Sequence, residues 1–205
     1  MKIISLFAIP TIKTNINRKF TEDELQLLLN IPMEKKGMLH QSAELYLFDS
    51  YAEELKELKI YCQYQLKQYL EDVEGADTAL ANLRITQSWL NRAGPNESHH
   101  PHHHPNSWLS GVLYIKCLQN DNIVFSNLMH GFYNSMEFPK RKNTEWNERN
   151  SLQYIKEGDL FLFPSWMIHY VEMNTTKDQE RISLSFNTFP KGNMGECSGA
   201  TQLIL

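Results

Sequence analysis

The 205-residue chain has few cysteines, no long apolar run and no excess of positive charge. Cys62, Cys117 and Cys197 lie far apart without a CxxC pair, which predicts reduced thiols and a cytoplasmic protein. No stretch approaches the roughly 18 consecutive apolar residues of a membrane-spanning helix, so we expect no membrane protein. The 20 basic residues are outnumbered by 24 acidic ones and form no stripe, which argues against nucleic-acid binding.

The length is that of one ordinary domain, and it predicts a single domain over residues 1–205. The opening apolar run stops at Pro10 and lacks a small-residue cleavage site, which favours a first strand over a signal peptide. Residues 1–80 then supply this strand and supporting helices, and residues 84–190 supply a β-rich core.

Two helices are predicted in the first third of the chain. Thr21 and Glu24 form a capping-box pattern at the start of the first helix, and Pro32 ends it. A longer helix runs from about Ser50 to Val73, because apolar residues recur there every three or four positions. The stripe that we expect to be buried consists of Leu55, Leu58, Cys62, Leu66, Tyr69 and Leu70.

After Gly75 the pattern changes to short β-rich runs that are separated by turn residues. The predicted strands are Leu83–Asn91, Trp108–Cys117, Asn122–Phe125, Gln153–Lys156, Asp159–Pro164, Ile168–Met173 and Arg181–Phe189. Strands without intervening helices indicate a sandwich or jelly roll with the helices packed on the outside. The long polar segment Asn127–Asn150, with Phe132, Tyr133, Trp146 and a basic triplet at 140–142, is either a substrate lid or a surface loop.

Five of the eight histidines fall between positions 99 and 104, and this tract is a metal-site candidate. Alternate residues of an extended chain point the same way, so His102 and His104 can present both imidazoles to one ion. His169, which follows the apolar strand Asp159–Pro164, is the expected third ligand. Iron would keep open positions beside three such ligands, and zinc could use the same nitrogens. His99, His100 and His103 are interpreted as bystanders.

The run Arg181–Asn187 places polar residues on one strand face and apolar residues on the other. If Arg181 faces into a barrel, its buried charge needs an anion, and a dicarboxylate cosubstrate would supply one through a bidentate contact. The alternative is that this polar face points to solvent.

Three strings resemble the 2-oxoglutarate/Fe(II)-dependent oxygenases of bacteria and marine phages, which are related to prolyl hydroxylases. They are HHHPNSWLSGVLY (His102–Tyr114), GDLFLFPSWMIH (Gly158–His169) and RISLSFN (Arg181–Asn187). The resemblance covers about residues 84–190, with a weaker likeness in Leu6–Pro10. It implies a mainly β protein with a double-stranded β-helix, or jelly roll, that binds Fe(II), 2-oxoglutarate and O2.

The resemblance also implies roles for individual residues. His102, His104 and His169 match the metal ligands. Arg181, Ser183 and Tyr114 match positions that hold the distal carboxylate of 2-oxoglutarate, and Asn91 and Asn187 are inward-facing polar candidates beside it. The sequence departs from the usual H-x-D or H-x-E pattern, because the middle ligand is His104. Glu97 is the alternative source of a carboxylate ligand.

The function that follows is oxidation of a peptide or protein residue, or of a small molecule, with release of succinate and CO2. A homodimer is compatible with the sequence. Two other readings remain open at this point. A cupin would also use H-x-H and a later histidine, although Trp166 and the absence of a glutamate at Trp108 or Leu109 depart from its motifs. The other is a non-catalytic structural protein that binds metal for stability.

Overall fold

The first helix begins as the capping box predicts. The computed structural model describes residues 2–3, 8–128, 136, 138–196 and 198–205. In α1 (Glu22–Asn30) the N–H of Glu24 donates to Thr21 Oγ1 at 3.1 Å, and the N–H of Thr21 donates to Glu24 Oε2 at 2.7 Å. The chain becomes extended at Ile31, immediately before Pro32, because a residue that precedes proline is kept out of the helical region.

The long helix is confirmed with a later start. Turns occupy residues 51–55 between α2 (Leu47–Ser50) and α3 (Lys56–Asp72). The predicted apolar stripe is buried as a whole and packs against the main sheet. The spacing of apolar residues along this helix therefore predicts which side of it is buried.

The strands form two antiparallel sheets. The major sheet has the order β1-β9-β6-β11-β4-β3-β2, and β12 pairs with the far end of β11. Its strands are β1 (Ile12–Asn15), β2 (Met33–Lys36), β3 (Leu39–Ser42), β4 (Ala81–Ala93), β6 (Leu109–Lys116), β9 (Asp159–Pro164), β11 (Arg181–Met194) and β12 (Leu203–Ile204). The minor sheet has the order β5-β10-β7-β8, with β5 (His99–His102), β7 (Asn122–Ser126), β8 (Asn150–Tyr154) and β10 (His169–Val171).

Alternation along the strands of the major sheet separates two apolar clusters. The outer cluster joins Leu113, Leu160 and Leu184 to the helices, and the inner cluster packs Val112 and Phe161 between the two sheets. Successive side chains of a strand point to opposite faces, so each central strand contributes to both clusters. The prediction of a mainly β jelly roll with its helices on the outside is confirmed.

Several elements differ from the predictions. The first strand is Ile12–Asn15 rather than the opening run, because residues 2–3 and 8–10 form no strand and the rest of that run lies outside the described residues. The β2–β3 hairpin was not predicted, and neither was β5, where a loop was expected. Phe132 and Tyr133 of the predicted lid lie outside the described residues. No helix in the described part of the chain is long and apolar enough to cross a membrane.

Candidate metal centre and cosubstrate pocket

Three histidines converge at one end of the space between the sheets. His102 ends β5 and is paired directly with His169 at the start of β10. His104 follows two residues later, where its N–H donates to the carbonyl oxygen of Ser165 at 2.9 Å. One ligand nitrogen from each of the three rings lies within 4.8 Å of the others. The three histidines that the sequence singles out therefore lie together.

Each of these rings is oriented through its Nδ1 atom. The Nδ1 of His102 lies 2.8 Å from the carbonyl oxygen of His100, and that of His169 lies 3.0 Å from the carbonyl oxygen of Met167. The Nδ1 of His104 lies 2.7 Å from Asn187 Oδ1. Because these oxygens accept a proton from Nδ1, they favour the tautomer whose Nε2 carries a free lone pair. The donor set fits a metal ion.

Burial keeps these imidazoles neutral. It lowers the pKa of His104 to about 4, and the nearby His102 adds to the shift. Burial likewise lowers the pKa of His102 and takes the pKa of His169 well below its usual value. A neutral imidazole is the form that binds metal, so the site is prepared for metal at neutral pH without first losing protons.

His99 lies in the site, although the spacing of the sequence did not suggest it. Its ring is stacked on His102 with 4.0 Å between the ring centroids, while His100 and His103 are exposed. A β-bulge lies between the pairs His169–His102 and Val171–His99 and changes the alternation of β5. For this reason, alternation in the sequence did not place His99 beside His102. Burial, followed by the neighbouring imidazoles, lowers the pKa of His99 to about 3.

An enclosed pocket adjoins the cluster on its inner side. It is lined by His99 and the three predicted ligands, and by Trp89, Asn91, Val112, Tyr114, Ile123, Val171, Ser183 and Ser185. Among the described residues, the hydroxyl of Tyr114, Nε1 of Trp89 and Oδ1 of Asn91 are buried without a hydrogen-bond partner. Burial raises the pKa of Tyr114, which therefore keeps its proton and remains a donor. Buried polar atoms without a protein partner are expected where a polar ligand binds.

Arg181 already has a protein anion as its partner. Its Nε donates to Asp121 Oδ2 at 2.7 Å and its Nη2 to Asp121 Oδ1 at 2.5 Å, with both side chains buried. Its inward orientation agrees with the expectation, and the solvent-facing alternative is wrong. However, a cosubstrate is not needed to neutralise its charge. The edge that carries Nη1 is left for a ligand, since Asp121 takes the opposite edge.

Two further predicted residues are placed differently. Asn187 braces His104 and lines an open groove rather than the enclosed pocket. Glu97 is excluded as a metal ligand by its contacts, since it bonds to Lys35 at 2.5 Å and accepts the N–H of Gly94 at 2.9 Å. The centre therefore consists of three histidines within the described part of the chain. Neither Asp121 nor its partnership with Arg181 was predicted.

The jelly roll, the three histidines and the pocket of unpaired polar atoms define a metal-dependent enzyme whose cosubstrate is an anion. Residues 87–187 match the family model described as "Putative 2OG-Fe(II) oxygenase". Residues 87–187 of the chain therefore form a domain of the 2-oxoglutarate- and Fe(II)-dependent oxygenase type. A cupin assignment is not supported. No curated protein matches the chain in sequence.

Solved structures share the fold at low sequence identity. A 2OG-Fe(II) oxygenase family oxidoreductase from Burkholderia pseudomallei is 15% identical with a TM-score of 0.56, covering 87% of this chain and 83% of that one. HygX from Streptomyces hygroscopicus, solved with nickel and 2-oxoglutarate, is 13% identical with a TM-score of 0.58, covering 88% and 82%. The epimerase SnoN from nogalamycin biosynthesis is 12% identical with a TM-score of 0.55, covering 83% and 73%.

Proposed function

We propose that this oxygenase holds Fe(II) through His102, His104 and His169 and oxidises a small organic molecule while 2-oxoglutarate is converted to succinate and CO2. The observation that carries the proposal is the pocket of unpaired polar atoms next to three imidazoles whose Nδ1 atoms are engaged, which leaves their Nε2 atoms for a metal ion. A site of this composition favours a small molecule with many acceptor oxygens and an affinity for metal, and 2-oxoglutarate has both properties.

Three side chains at the pocket can donate to a ligand. Tyr114 donates its hydroxyl proton and Ser183 can donate another. Arg181 lines an adjoining small cavity, which shares Asn91 and Ser183 with the pocket, and offers its free Nη1 edge there. The amide nitrogen of Asn91 is assigned to Ser185 at 3.0 Å, which leaves the amide oxygen unpaired. If the amide is rotated, the Ser185 hydroxyl donates to Oδ1 and the Asn91 nitrogen points into the pocket as a further donor. A carboxylate at this position would satisfy all of them.

The residues of the chain orient the reactants and exclude water. The Arg181–Asp121 pair fixes the guanidinium at the closed end, so that a dicarboxylate presents its keto acid end to the histidines. Val112 and Ile123 close the pocket with apolar walls. Fe(II) bound by the histidines would supply the activation of O2, and the protein positions the reactants and excludes water from them.

A small molecule is the substrate class that the open groove favours over a peptide or protein. The groove beside the histidines has a volume of about 740 Å³, which lies within the range of small-molecule sites. HygX has been solved with hygromycin B and 2-oxoglutarate together, so a related fold accepts a small molecule beside its cosubstrate. The chain would act as one cytoplasmic domain, consistent with its unpaired Cys62 and Cys117. Its phage or bacterial origin stays a prediction.

Calorimetric titration of 2-oxoglutarate into anaerobic, Mn(II)-loaded protein tests the proposal. We expect binding that requires the metal. Tyr114→Phe removes a hydroxyl that has no protein partner, so the fold should keep its stability while the 2-oxoglutarate affinity falls by about tenfold. Tyr61→Phe is the matched control, because it removes a buried hydroxyl on α3 in the outer cluster.

Arg181→Ala should abolish measurable binding, but it also leaves Asp121 buried without a partner. Its thermal stability must therefore be measured beside its affinity. If the unaltered protein binds metal tightly but shows no heat of binding for 2-oxoglutarate, the proposal is refuted and the histidines form a structural metal site.

A further inference from the structure

The groove outside the histidine cluster is lined by one arginine and by no carboxylate of the described residues. It is lined by Gln41, Tyr46, Arg84, Thr86, Gln87, Trp89, four of the clustered histidines, Pro105, Asn106, Asn187 and Phe189. No aspartate or glutamate lines it within the described residues, although acidic residues outnumber basic ones in the whole chain. Its charge therefore differs in sign from the net charge of the protein.

Arg84 is the residue that gives the groove its charge. Arg18, Arg92 and Arg181 each have a carboxylate partner, at 2.6, 3.6 and 2.5 Å respectively. Arg84 lies exposed on the groove wall, and the described part of the chain places no carboxylate and no hydrogen-bond acceptor against its guanidinium. The N–H donors of an arginine without a protein partner at the rim of a site are all available to a ligand.

The position of Arg84 relative to the metal centre follows from strand register. Arg84 on β4 is paired directly with Phe189 on β11, and Phe189 lies two residues beyond Asn187, which contacts His104. Two residues of strand span about 7 Å. The guanidinium is thus within the length of a small molecule whose other end lies at the histidines.

Aromatic side chains flank the cation. Phe189 and Tyr46 line the same groove with 40% and 49% of their surfaces exposed, so both offer ring faces that the fold itself does not bury. Lys191 lies two residues past Phe189 and shares its strand face by alternation, beyond the residues that line the groove. The groove therefore combines apolar platforms with a basic end.

We propose that the groove binds a small substrate whose carboxylate or phosphate group is held by Arg84 and whose apolar part lies against Tyr46 and Phe189. The inference rests on the proposed function, which assigns the reacting end of that substrate to the histidine centre. The three histidine ligands bring no negative charge of their own, so an anionic substrate meets no carboxylate repulsion on its way into the groove.

Ligand-observed fluorine NMR on full-length, Zn(II)-loaded protein tests this inference, both with and without saturating 2-oxoglutarate. The probes are 4-fluorophenylacetate, its neutral amide and 4-fluorophenyl phosphate. We expect the acid to bind about tenfold more tightly than the amide, because a charge-assisted contact to Arg84 is lost in the amide. The ratio between the acid and the phosphate then identifies which anion the site prefers.

Arg84→Gln should bring the acid and the amide to about equal affinity, and Arg84→Lys should keep part of the difference. Lys67→Gln is the control, since it removes one positive charge on α3, away from the groove. Equal binding of acid and amide, no binding of either, or a preference that survives Arg84→Gln would each overturn the inference. A failure of 2-oxoglutarate to bind overturns the proposed function alone, because the probe preference is also measured without it.

Discussion

The two faces of strand β11 carry different chemistry over the same few residues. Ile182, Leu184 and Phe186 face the helices and are completely buried in the outer cluster. Arg181, Ser183, Ser185 and Asn187 face the inside, where they pair with Asp121, Asn91 and His104 or line the cosubstrate pocket. One face packs against apolar side chains, and the other holds polar side chains that support the histidines or line the pocket beside them.

This difference separates stability from activity within one strand. The outer face gains free energy from burial, which is lost when volume is removed. The inner face lines a pocket into which the neighbouring strands β4 and β6 bring orphaned polar atoms, at Asn91 and Tyr114, which cost stability until a ligand binds. Substitutions on the two faces should therefore affect different measurements.

The largest effect is expected at the metal centre on the inner side. His169→Ala removes one of three metal-binding nitrogens and should reduce succinate release by more than about a thousandfold. The urea midpoint of the metal-free protein should fall as well, because His169 is buried against Phe163, so activity is compared at a temperature where the variant is folded. A His169→Ala variant that keeps a tenth of the activity would contradict the assignment.

An intermediate effect is expected on the outer face. Leu184→Ala should lower the free energy of unfolding by about 2–5 kcal/mol, because Leu184 is fully buried. At a temperature where the variant is folded, its 2-oxoglutarate affinity should remain that of the unaltered chain. A parallel loss of affinity would show that the two faces are coupled. Urea denaturation and calorimetry on the same preparation measure both quantities.

The smallest effect concerns pH. The pKa of His104 is about 4 in the folded chain, against 6.5 when it is solvated, so the unfolded chain takes up the proton first as pH falls. In the metal-free protein the contribution of His104 should therefore be fully present above pH 6.5 and fall by about 1.4 kcal/mol per pH unit below it, down to about pH 4. His99, His102 and His169, whose pKa values are also lowered, add to the slope in the same direction. Urea unfolding between pH 5 and 7 measures this slope.

His104→Gln should reduce the pH slope by the contribution of this ring, because it keeps a polar group near Asn187 and removes one of the titrating imidazoles. His103→Gln alters an exposed neighbour and serves as the control, with an unchanged slope expected. A slope that His104→Gln leaves unaltered would refute the link between this ring and the pH dependence.

Much of the core could be predicted from the sequence because local alternation decides it. The polar and apolar residues of Arg181–Asn187 fall on the predicted faces. The H-x-H pattern at His102 and His104 identifies two members of the histidine cluster. The later histidine, His169, completes it. Each of these signals depends on the backbone period, which tertiary contacts preserve.

The rest depends on contacts between distant segments. Arg181 and Asp121 lie 60 residues apart, and nothing in either local sequence indicates that they pair. Strand β5 consists of His99, His100, Pro101 and His102, which show no strand pattern, and it forms because β10 lies beside it. The hairpin strand Met33–Lys36 is mostly charged and has no apolar alternation to predict it.

The Nδ1 contacts of the three histidines make the centre unevenly robust to mutation. Two of the acceptors, at His100 and Met167, are main-chain carbonyl oxygens, which any side-chain replacement at those positions leaves in place. The third acceptor is the side chain of Asn187, which also receives the hydroxyl of Ser110 at 3.0 Å. A mutation can therefore disturb ring orientation most directly at His104, because a substitution of Asn187 removes the acceptor of its Nδ1. The acceptors of the other two rings are part of the backbone and persist after such substitutions.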